Sequence, residues 1–335
     1  MSTNFNFPGS FVISLDYELM WGILDLHNAS VYEQTNVKNV HDVIKRMVEL
    51  FERYRVKATF ATVGMLMCKN VDEVVSMSPE IIPTYIKKWL SPYGNTLQQI
   101  KNHGSQIHYF APESIELLKN SNMVEIGTHT FSHYYSWEEG QTIEQFEADI
   151  VAAIKMAKIK GIEIKSIVFP RNHVNDDYLH ICGKHGITSY RGNALNFFGK
   201  KKSKLRVMIS RIGRLVDTYI PISGKCSYRY DQLIKGIGLP INLPASRFFR
   251  PYSPQLHMLE TVRISRIKTE IEKAAKLGEM YHLWWHPHNF GANMEANLKN
   301  LENVLKHFSY CREKYGMKTY TMNELSEILM KKYGK

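Results

Sequence analysis

Short apolar runs alternate with amphipathic stretches along most of this chain. The run Phe11-Val-Ile-Ser-Leu15 is apolar and β-rich, which predicts a buried strand ending at Asp16-Tyr17-Glu18. Next, Val40, Val43, Ile44, Met47, Leu50, Phe51 and Tyr54 recur at three- and four-residue spacing, the signature of a helix with one face on a core. Strand character resumes from Val56 to Val63 and closes a β-α-β unit, which requires a parallel sheet or barrel. The alternation continues with a helix at 112–119, a strand at 123–127 and a long helix at 142–160. A strand at 165–169, a helix at 176–185 and a strand near 187–190 follow. Toward the end come a helix at 261–277, a strand at 279–285, a helix at 298–314, a short strand at 318–321 and a last helix to about residue 331.

Two stretches interrupt the pattern. The first, about 65–120, contains Pro79, Pro83, Pro92 and Gly94 and predicts short helices and loops over one end of the barrel. The second, 199–255, opens with a basic cluster (Lys200, Lys201, Lys202, Lys204, Arg206, Arg211, Arg214) and continues as a loop punctuated by Pro and Gly. Residues 1–335 therefore predict a single α/β barrel domain, with 199–255 inserted in it as a basic loop region.

Composition narrows the class. The 335 residues are 44% hydrophobic and 22% charged, ordinary values for a globular protein. A formal charge of +11 favours anionic company, whether nucleic acid, anionic lipid or a phosphorylated small molecule. No zinc finger, RNA-recognition signature or basic-aromatic platform accompanies that charge, so nucleic acid is not expected. Cys68, Cys182, Cys226 and Cys311 are widely spaced, form no C-x-x-C pair and read as reduced thiols of a cytoplasmic protein. The opening Met-Ser-Thr-Asn-Phe-Asn-Phe-Pro lacks the basic start and apolar core of a signal peptide, and no apolar run approaches the ~18 residues of a membrane span. Leu205, Met208, Ile209, Ile212 and Leu215 interleave with the cations at helical spacing, so 200–215 predicts a basic amphipathic helix. It would lie on an anionic membrane surface or pack on the barrel with a solvated basic face.

Four predicted strand ends carry chemistry. After the third strand comes His129-Thr-Phe-Ser-His133; two imidazoles four residues apart share a face if the segment coils into one turn, and could then meet one metal ion. On a surface helix such a pair is unremarkable, but a strand end is where barrel enzymes keep their sites. Asp16 and Glu18, two apart on a strand, project to one side about 6–7 Å apart, and buried together they repel unless a cation or proton separates them. His282-Leu-Trp-Trp-His286-Pro-His288-Asn289 reads as a histidine-rich strand end or as a partly buried aromatic belt. Arg171, after Phe169-Pro170, could hold a carboxylate ionised by a bidentate contact, or form an ordinary surface ion pair.

Taken together, these residues resemble the NodB-like polysaccharide deacetylases, carbohydrate esterase family four, over most of the chain from Phe11 to Leu329 apart from the two excursions. Lys57-Ala-Thr-Phe-Ala-Thr-Val-Gly64 is similar to the family's second strand, and Glu125 to His133 is similar to its H-[ST]-x-x-x-H signature. The resemblance implies an irregular (β/α)7 barrel with His129 and His133 as metal ligands. Ser14-Leu-Asp16-Tyr-Glu18 replaces the usual T-F-D-D-G and implies Asp16 as catalytic base and Glu18 as the carboxylate ligand. Phe169-Pro-Arg171-Asn172 stands for R-x-P-x-G, with the arginine after the proline, and implies Arg171 as the partner of Asp16. His286 is implied as general acid, with His288 or His282 as substitutes, and no counterpart stands out for the aspartate that orients it.

The expected reaction is metal-dependent hydrolysis of the amide of an N-acylated amino sugar, a deacetylation or deformylation. Zinc is the first choice of ion, with cobalt, nickel, iron or manganese also compatible. The ion and a backbone N–H near Asn172 would hold the oxyanion. The expected substrate is an intracellular, nucleotide- or lipid-linked intermediate of surface polysaccharide assembly. Rival expectations are hydrolysis of a non-sugar amide on the same fold and a non-catalytic carbohydrate-binding or scaffold relative.

Overall fold

The computed structural model describes residues 7–25, 29–102, 106–194, 213, 217–219, 224, 226–234 and 238–333. Strand β1 (Ser10–Tyr17) is buried at every position. Its odd residues Phe11, Ile13, Leu15 and Tyr17 share an apolar cluster with Met47, Phe51, Ile271 and Phe308 of surrounding helices. On the opposite side, Val12 packs with Ala61, Val168, Leu243 and Met280 inside the sheet. The two-residue period of a strand therefore sends Ser14 and Asp16 inward.

Helix α1 (Ala29–Thr35) and the amphipathic α2 (Val40–Tyr54) lead to β2 (Ala58–Thr62). Helices α3 (Val71–Met77), α4 (Asn95–Asn102) and α5 (Pro112–Lys119) make up the first excursion and deliver the chain to β3 (Val124–Thr128). Helix α6 (Ile143–Ile159) starts at a capping box, in which Thr142 accepts from the Gln145 N–H and Gln145 reaches back to the Thr142 N–H. Strand β4 (Ser166–Ile167), α7 (Asp176–Lys184) and β5 (Ser189–Tyr190) follow. After β6 (Ile241–Asn242) and β7 (Arg247–Phe248) come α8 (Glu260–Leu277), β8 (Met280–Trp285), α9 (Met294–Tyr315), β9 (Lys318–Tyr320) and α10 (Met322–Tyr333).

Among the described residues the named strands pair in parallel, in the order β6-β5-β4-β3-β2-β1-β8-β7. One edge of β1 is shared, by β9 beside Ser10–Val12 and by β2 beside Ser14–Tyr17. Closure comes from residues 241–249. Leu243 and Ala245 donate backbone N–H groups to the carbonyls of Tyr190 and Gly192, while Ser246 and Phe249 donate to those of His282 and Trp284. The β6–β7 stretch thus pairs β5 on one side and β8 on the other. Counted as one, it reduces the eight strands of the path to seven positions, an irregular (β/α)7 barrel.

The part 241–249 of the span expected as a basic loop insertion, 199–255, therefore supplies a wall of the barrel. Its strands are two residues long each and separated by Leu243-Pro-Ala-Ser246, too short for a periodic signal. The ladders of β4 and β5 are likewise limited to two residues, shorter than their apolar runs. The amphipathic helix expected at 200–215 lies, residue 213 apart, outside the described residues. Among the described residues, no helix is long and apolar enough to cross a membrane.

Candidate metal centre and active site

The chemistry gathers at the C-terminal ends of the strands, where parallel barrels open to substrate. Asp16 sits on the last turn of β1 and Glu18 just beyond it; both are buried. After Glu18 the chain turns through Leu19, which adopts a left-handed φ of 48°. Gly22 then passes so close to the Glu18 carboxyl that a Cβ there would overlap its Cδ and Oε1 atoms.

His129 and His133 follow β3, and they converge without the single helical turn expected from their spacing. Thr130 and His133 take positive φ values of 65° and 56°. The bend they make is pinned by Asp149 of α6, whose carboxylate accepts from the Phe131 N–H (2.7 Å), the Ser132 N–H and the Ser132 hydroxyl. Burial raises the Asp149 carboxyl to about 6 against the pull of those hydrogen bonds. Thr130 Oγ1 accepts from the Tyr134 N–H at 2.7 Å and closes the bend.

The result is a three-sided donor set. The ligand atoms of Glu18, His129 and His133 all lie within 4.8 Å of one another. His133 Nε2 is 3.0 Å and His129 Nε2 3.3 Å from the same oxygen, Glu18 Oε2. His129 Nδ1 lies 2.8 Å from the Val168 carbonyl and must donate to it, which in the neutral ring leaves Nε2 a bare lone pair. That lone pair is buried, has no hydrogen-bond partner and faces a carboxylate oxygen. Only a proton or a cation relieves such an arrangement. Two imidazole nitrogens and one carboxylate are the donors of an open hydrolytic metal site, and a backbone carbonyl fixing the far nitrogen is the usual support of a ligating histidine. Burial by itself would raise the Glu18 carboxyl, yet His286, His129 and His133 hold it well below the usual range. Burial lowers His133, against the pull of Glu18.

Beside this set lies a second carboxylate with a different partner. Arg191, from the end of β5, is fully buried and grips Asp16 with two parallel bonds, Nη1 to Oδ1 at 2.6 Å and Nη2 to Oδ2 at 2.7 Å. Asn172 Oδ1 accepts from Arg191 Nη2 at 2.7 Å, and the Trp284 ring lies under the guanidinium at 4.1 Å. Burial would push Asp16 up, but Arg191, with His129 and His286 nearby, keeps it below its ordinary value.

Arg171 does not hold Asp16, contrary to the sequence expectation. Its backbone turns left-handed (φ 56°) after Pro170, and the side chain reaches Asp25 and Glu138 on the rim instead. Of the backbone donors near Asn172, the Asn172 N–H is committed to the Phe169 carbonyl at 2.9 Å and the His173 N–H to the Pro170 carbonyl at 3.1 Å, so neither serves as the expected oxyanion donor.

His286 Nε2 stands 3.6 Å from both Asp16 Oδ2 and Glu18 Oε1, in the only partly exposed part of the cluster. Asn289 Nδ2 donates toward His286 Nδ1 at 3.3 Å, which places the ring proton on Nε2. Asn289 is itself oriented by the Tyr32 hydroxyl, which donates to Oδ1. His282 lies deeper, between the Leu243 carbonyl (2.9 Å) and Ser14 Oγ (2.8 Å), and burial with the Arg191 charge lowers it to about 3. Ser14 in turn accepts from Arg191 Nη1 at 3.1 Å, so His282 braces the arginine and does not face the opening. His288 is buried 3.9 Å from Glu18 Oε1 and lowered to about 3, by burial first and His286 second.

Sequence reasoning missed Arg191, Asn289, Tyr32 and Asp149. For Arg191 a signal existed, since it immediately follows the apolar run ending at Tyr190, the same strand-end position that singled out the other groups. A cavity of about 570 Å³ lies elsewhere, between α8 and Tyr219, Gly224, Cys226 and Ser227, and includes none of these side chains.

The polysaccharide deacetylase family profile matches residues 33–190, slightly under half of the chain. No curated protein matches. Among solved structures, a candidate polysaccharide deacetylase from Mycobacterium smegmatis superposes with a TM-score of 0.58 at 11% identity, over 98% of this chain and 93% of that one. A polysaccharide deacetylase candidate from Pseudomonas aeruginosa PAO1 and the PuuE allantoinase each give a TM-score of 0.52 at 10% identity, over 97% of this chain and 91% of theirs. At these identities the superpositions establish a shared fold.

Proposed function

We propose that the chain is a member of the NodB-like polysaccharide deacetylase superfamily and that it is a metal-dependent N-deacylase acting on an N-acylated amino sugar. One observation carries the reading. A buried Glu18–His129–His133 set, with an unsatisfied imidazole lone pair, lies against an arginine-held Asp16 and a half-open His286. Glu18, His129 and His133 would hold the ion, which when bound supplies Lewis acidity toward water and the amide carbonyl. Zinc suits the donor set best.

The chain's own residues divide the proton work. Asp16, kept ionised by Arg191, accepts a proton from the attacking water as the new C–O bond forms. His286 delivers the Nε2 proton to the leaving nitrogen as the C–N bond breaks and takes its replacement from Asp16, whose Oδ2 lies 3.6 Å away, so that the proton taken from water ends on the amine and the products are a carboxylic acid and a free amine. Asn289 and Tyr32 fix the tautomer that makes this delivery feasible. The acyl group is acetyl or formyl, and the +11 charge supports a sugar on a phosphate-bearing carrier, nucleotide or lipid, in a cytoplasmic setting. The shared fold of an allantoinase favours a second reading, in which a non-sugar ureide or amide is cleaved by the same groups.

Elemental analysis of the purified protein, paired with acetate and formate release from nucleotide- and lipid-linked amino sugars and from ureides, tests both. Asp16→Asn is expected to keep its metal and lose turnover, whereas His129→Ala loses both. An active Asp16→Asn enzyme, or full activity in metal-free protein, refutes the mechanism.

A further inference from the structure

Between α3 and α4 an extended segment runs over the loop that follows β3, and its burial alternates. Pro83 and Tyr85 are buried while Ile82, Thr84 and Ile86 face outward, the two-residue period of extended chain. Ile81 and Trp89 flank this stretch, and all four large apolar side chains are exposed, from 40% for Ile82 to 67% for Trp89. Single exposed apolar residues are ordinary, but a row of them marks a surface that something covers. The segment is also held in place. Thr84 Oγ1 donates to the Gly140 carbonyl, and the Ile86 N–H donates to the Glu139 carbonyl at 2.9 Å. Gly140 permits that approach, since a Cβ there would lie 2.6 Å from the Thr84 carbonyl oxygen. Beneath the row, Tyr85 and Leu90 pack with Tyr135, and the Tyr85 hydroxyl accepts from the Tyr135 N–H at 2.9 Å. Tyr135 packs edge-on to His133 at 5.1 Å, so the row stands on the same rim as the donor set.

These contacts choose among the possible occupants. The Thr84 and Ile86 N–H groups are both taken, by Gln145 Oε1 at 3.2 Å and by the Glu139 carbonyl, so neither is open to an added strand. Lys87 pairs with Glu138 at 2.9 Å, and Lys88 stands among the exposed Glu80 and Glu139, so no single sign of charge is presented to nucleic acid or to a charged peptide. A second copy would bring together two molecules of charge +11, which repel. A bilayer interface suits every group. It takes up isoleucine side chains, a tryptophan whose indole N–H makes no hydrogen bond among the described residues, and a lysine amine that reaches to headgroups. The +11 charge then draws the whole molecule toward an anionic leaflet.

We propose that residues 81–89 dock this rim on an anionic lipid bilayer, with Ile81, Ile82, Ile86 and Trp89 seated at the boundary between headgroups and acyl chains. The surface is distinct from the basic helix expected at 200–215 and does not depend on which reaction the site performs.

The test is sedimentation of the full chain with vesicles of phosphatidylcholine and phosphatidylserine. Wild-type protein is expected to bind them, and the double variant Ile86→Ser with Trp89→Ser to bind at least about ten-fold more weakly at an unchanged unfolding midpoint. Brominated acyl chains should quench part of the wild-type tryptophan emission. Trp89→Phe, which keeps an apolar ring, should stay bound and lose that quenching; should the double variant unfold early, this measurement decides. No vesicle binding by wild type, binding indifferent to the double substitution, or quenching that persists in Trp89→Phe overturns the docking surface. So does self-association of wild type that the double variant abolishes, which would assign the row to a second copy.

Discussion

Replacing Arg191 with methionine removes the only cation bonded to Asp16 among the described residues while roughly keeping the side-chain volume. Arg191 and Asp16 are 0% and 2% exposed, so solvent does little to screen the pair. Two charge-assisted bonds of 2.6 and 2.7 Å vanish together, and a buried carboxylate is left without its counter-charge. Breaking one side of such a pair costs about 3–5 kcal/mol. The sign of the pH dependence follows. In the wild type the folded Asp16 sits below its usual 3.8, so its stabilisation is present above that value and is lost as pH falls through the folded value. Without Arg191 burial acts with less opposition and the folded value rises, so the variant's deficit grows with pH above about 4. Urea unfolding at pH 4.5 and 7.5, with chelator present to exclude metal linkage, should show the larger deficit at pH 7.5. In an Asp16→Asn background the same change should cost far less. Arg171→Met is the control, because its ion pair with Asp25 is 29% exposed on each side and is worth about 0–1 kcal/mol after screening. A deficit below about 1 kcal/mol for Arg191→Met, or one independent of pH, would refute the assigned electrostatics.

Two further outcomes are expected. In Gly22→Ala the new methyl must displace the Glu18 carboxylate, so zinc affinity measured by chelator competition should fall about ten-fold or more while the fold persists; unchanged affinity would remove Glu18 from the ligand set. Tyr32→Phe frees the Asn289 amide, so kcat should fall about ten-fold at unchanged metal content, less than the ~10²–10⁴ that a general acid supplies. A wild-type kcat would show that His286 needs no such orienter.

Much of the frame was legible because it rests on local periodicity. Helix α2 was expected from Val40 to Tyr54 and spans those residues, and α5 was expected at 112–119 and lies there. Both bury one face on the core at 3.6-residue spacing. The walls of two-residue strands were not legible, since β6 and β7 are specified by their partners Tyr190, Gly192, His282 and Trp284 rather than by their own pattern. Asp16, Glu18, His129, His133 and His286 could be nominated because strand ends are marked in a parallel barrel, and the structure brings all five together. The partner of Asp16 could not be nominated by its neighbours in sequence. Arg171 and Arg191 both follow strands, and the choice between them depends on backbone direction after Pro170.

What the sequence determined by itself is the alternation of strand and helix and the identity of the groups placed where strands end, because both follow from the chemistry of residues near one another in the chain. What the tertiary structure decided is pairing: which arginine meets Asp16, which amide steadies His286, and how two left-handed residues and Asp149 turn His129 and His133 onto Glu18. Asn289 beside His286 apart, those pairings join residues from 17 to 175 positions apart, and a hydrogen bond depends on a few tenths of an ångström that only the closed barrel supplies.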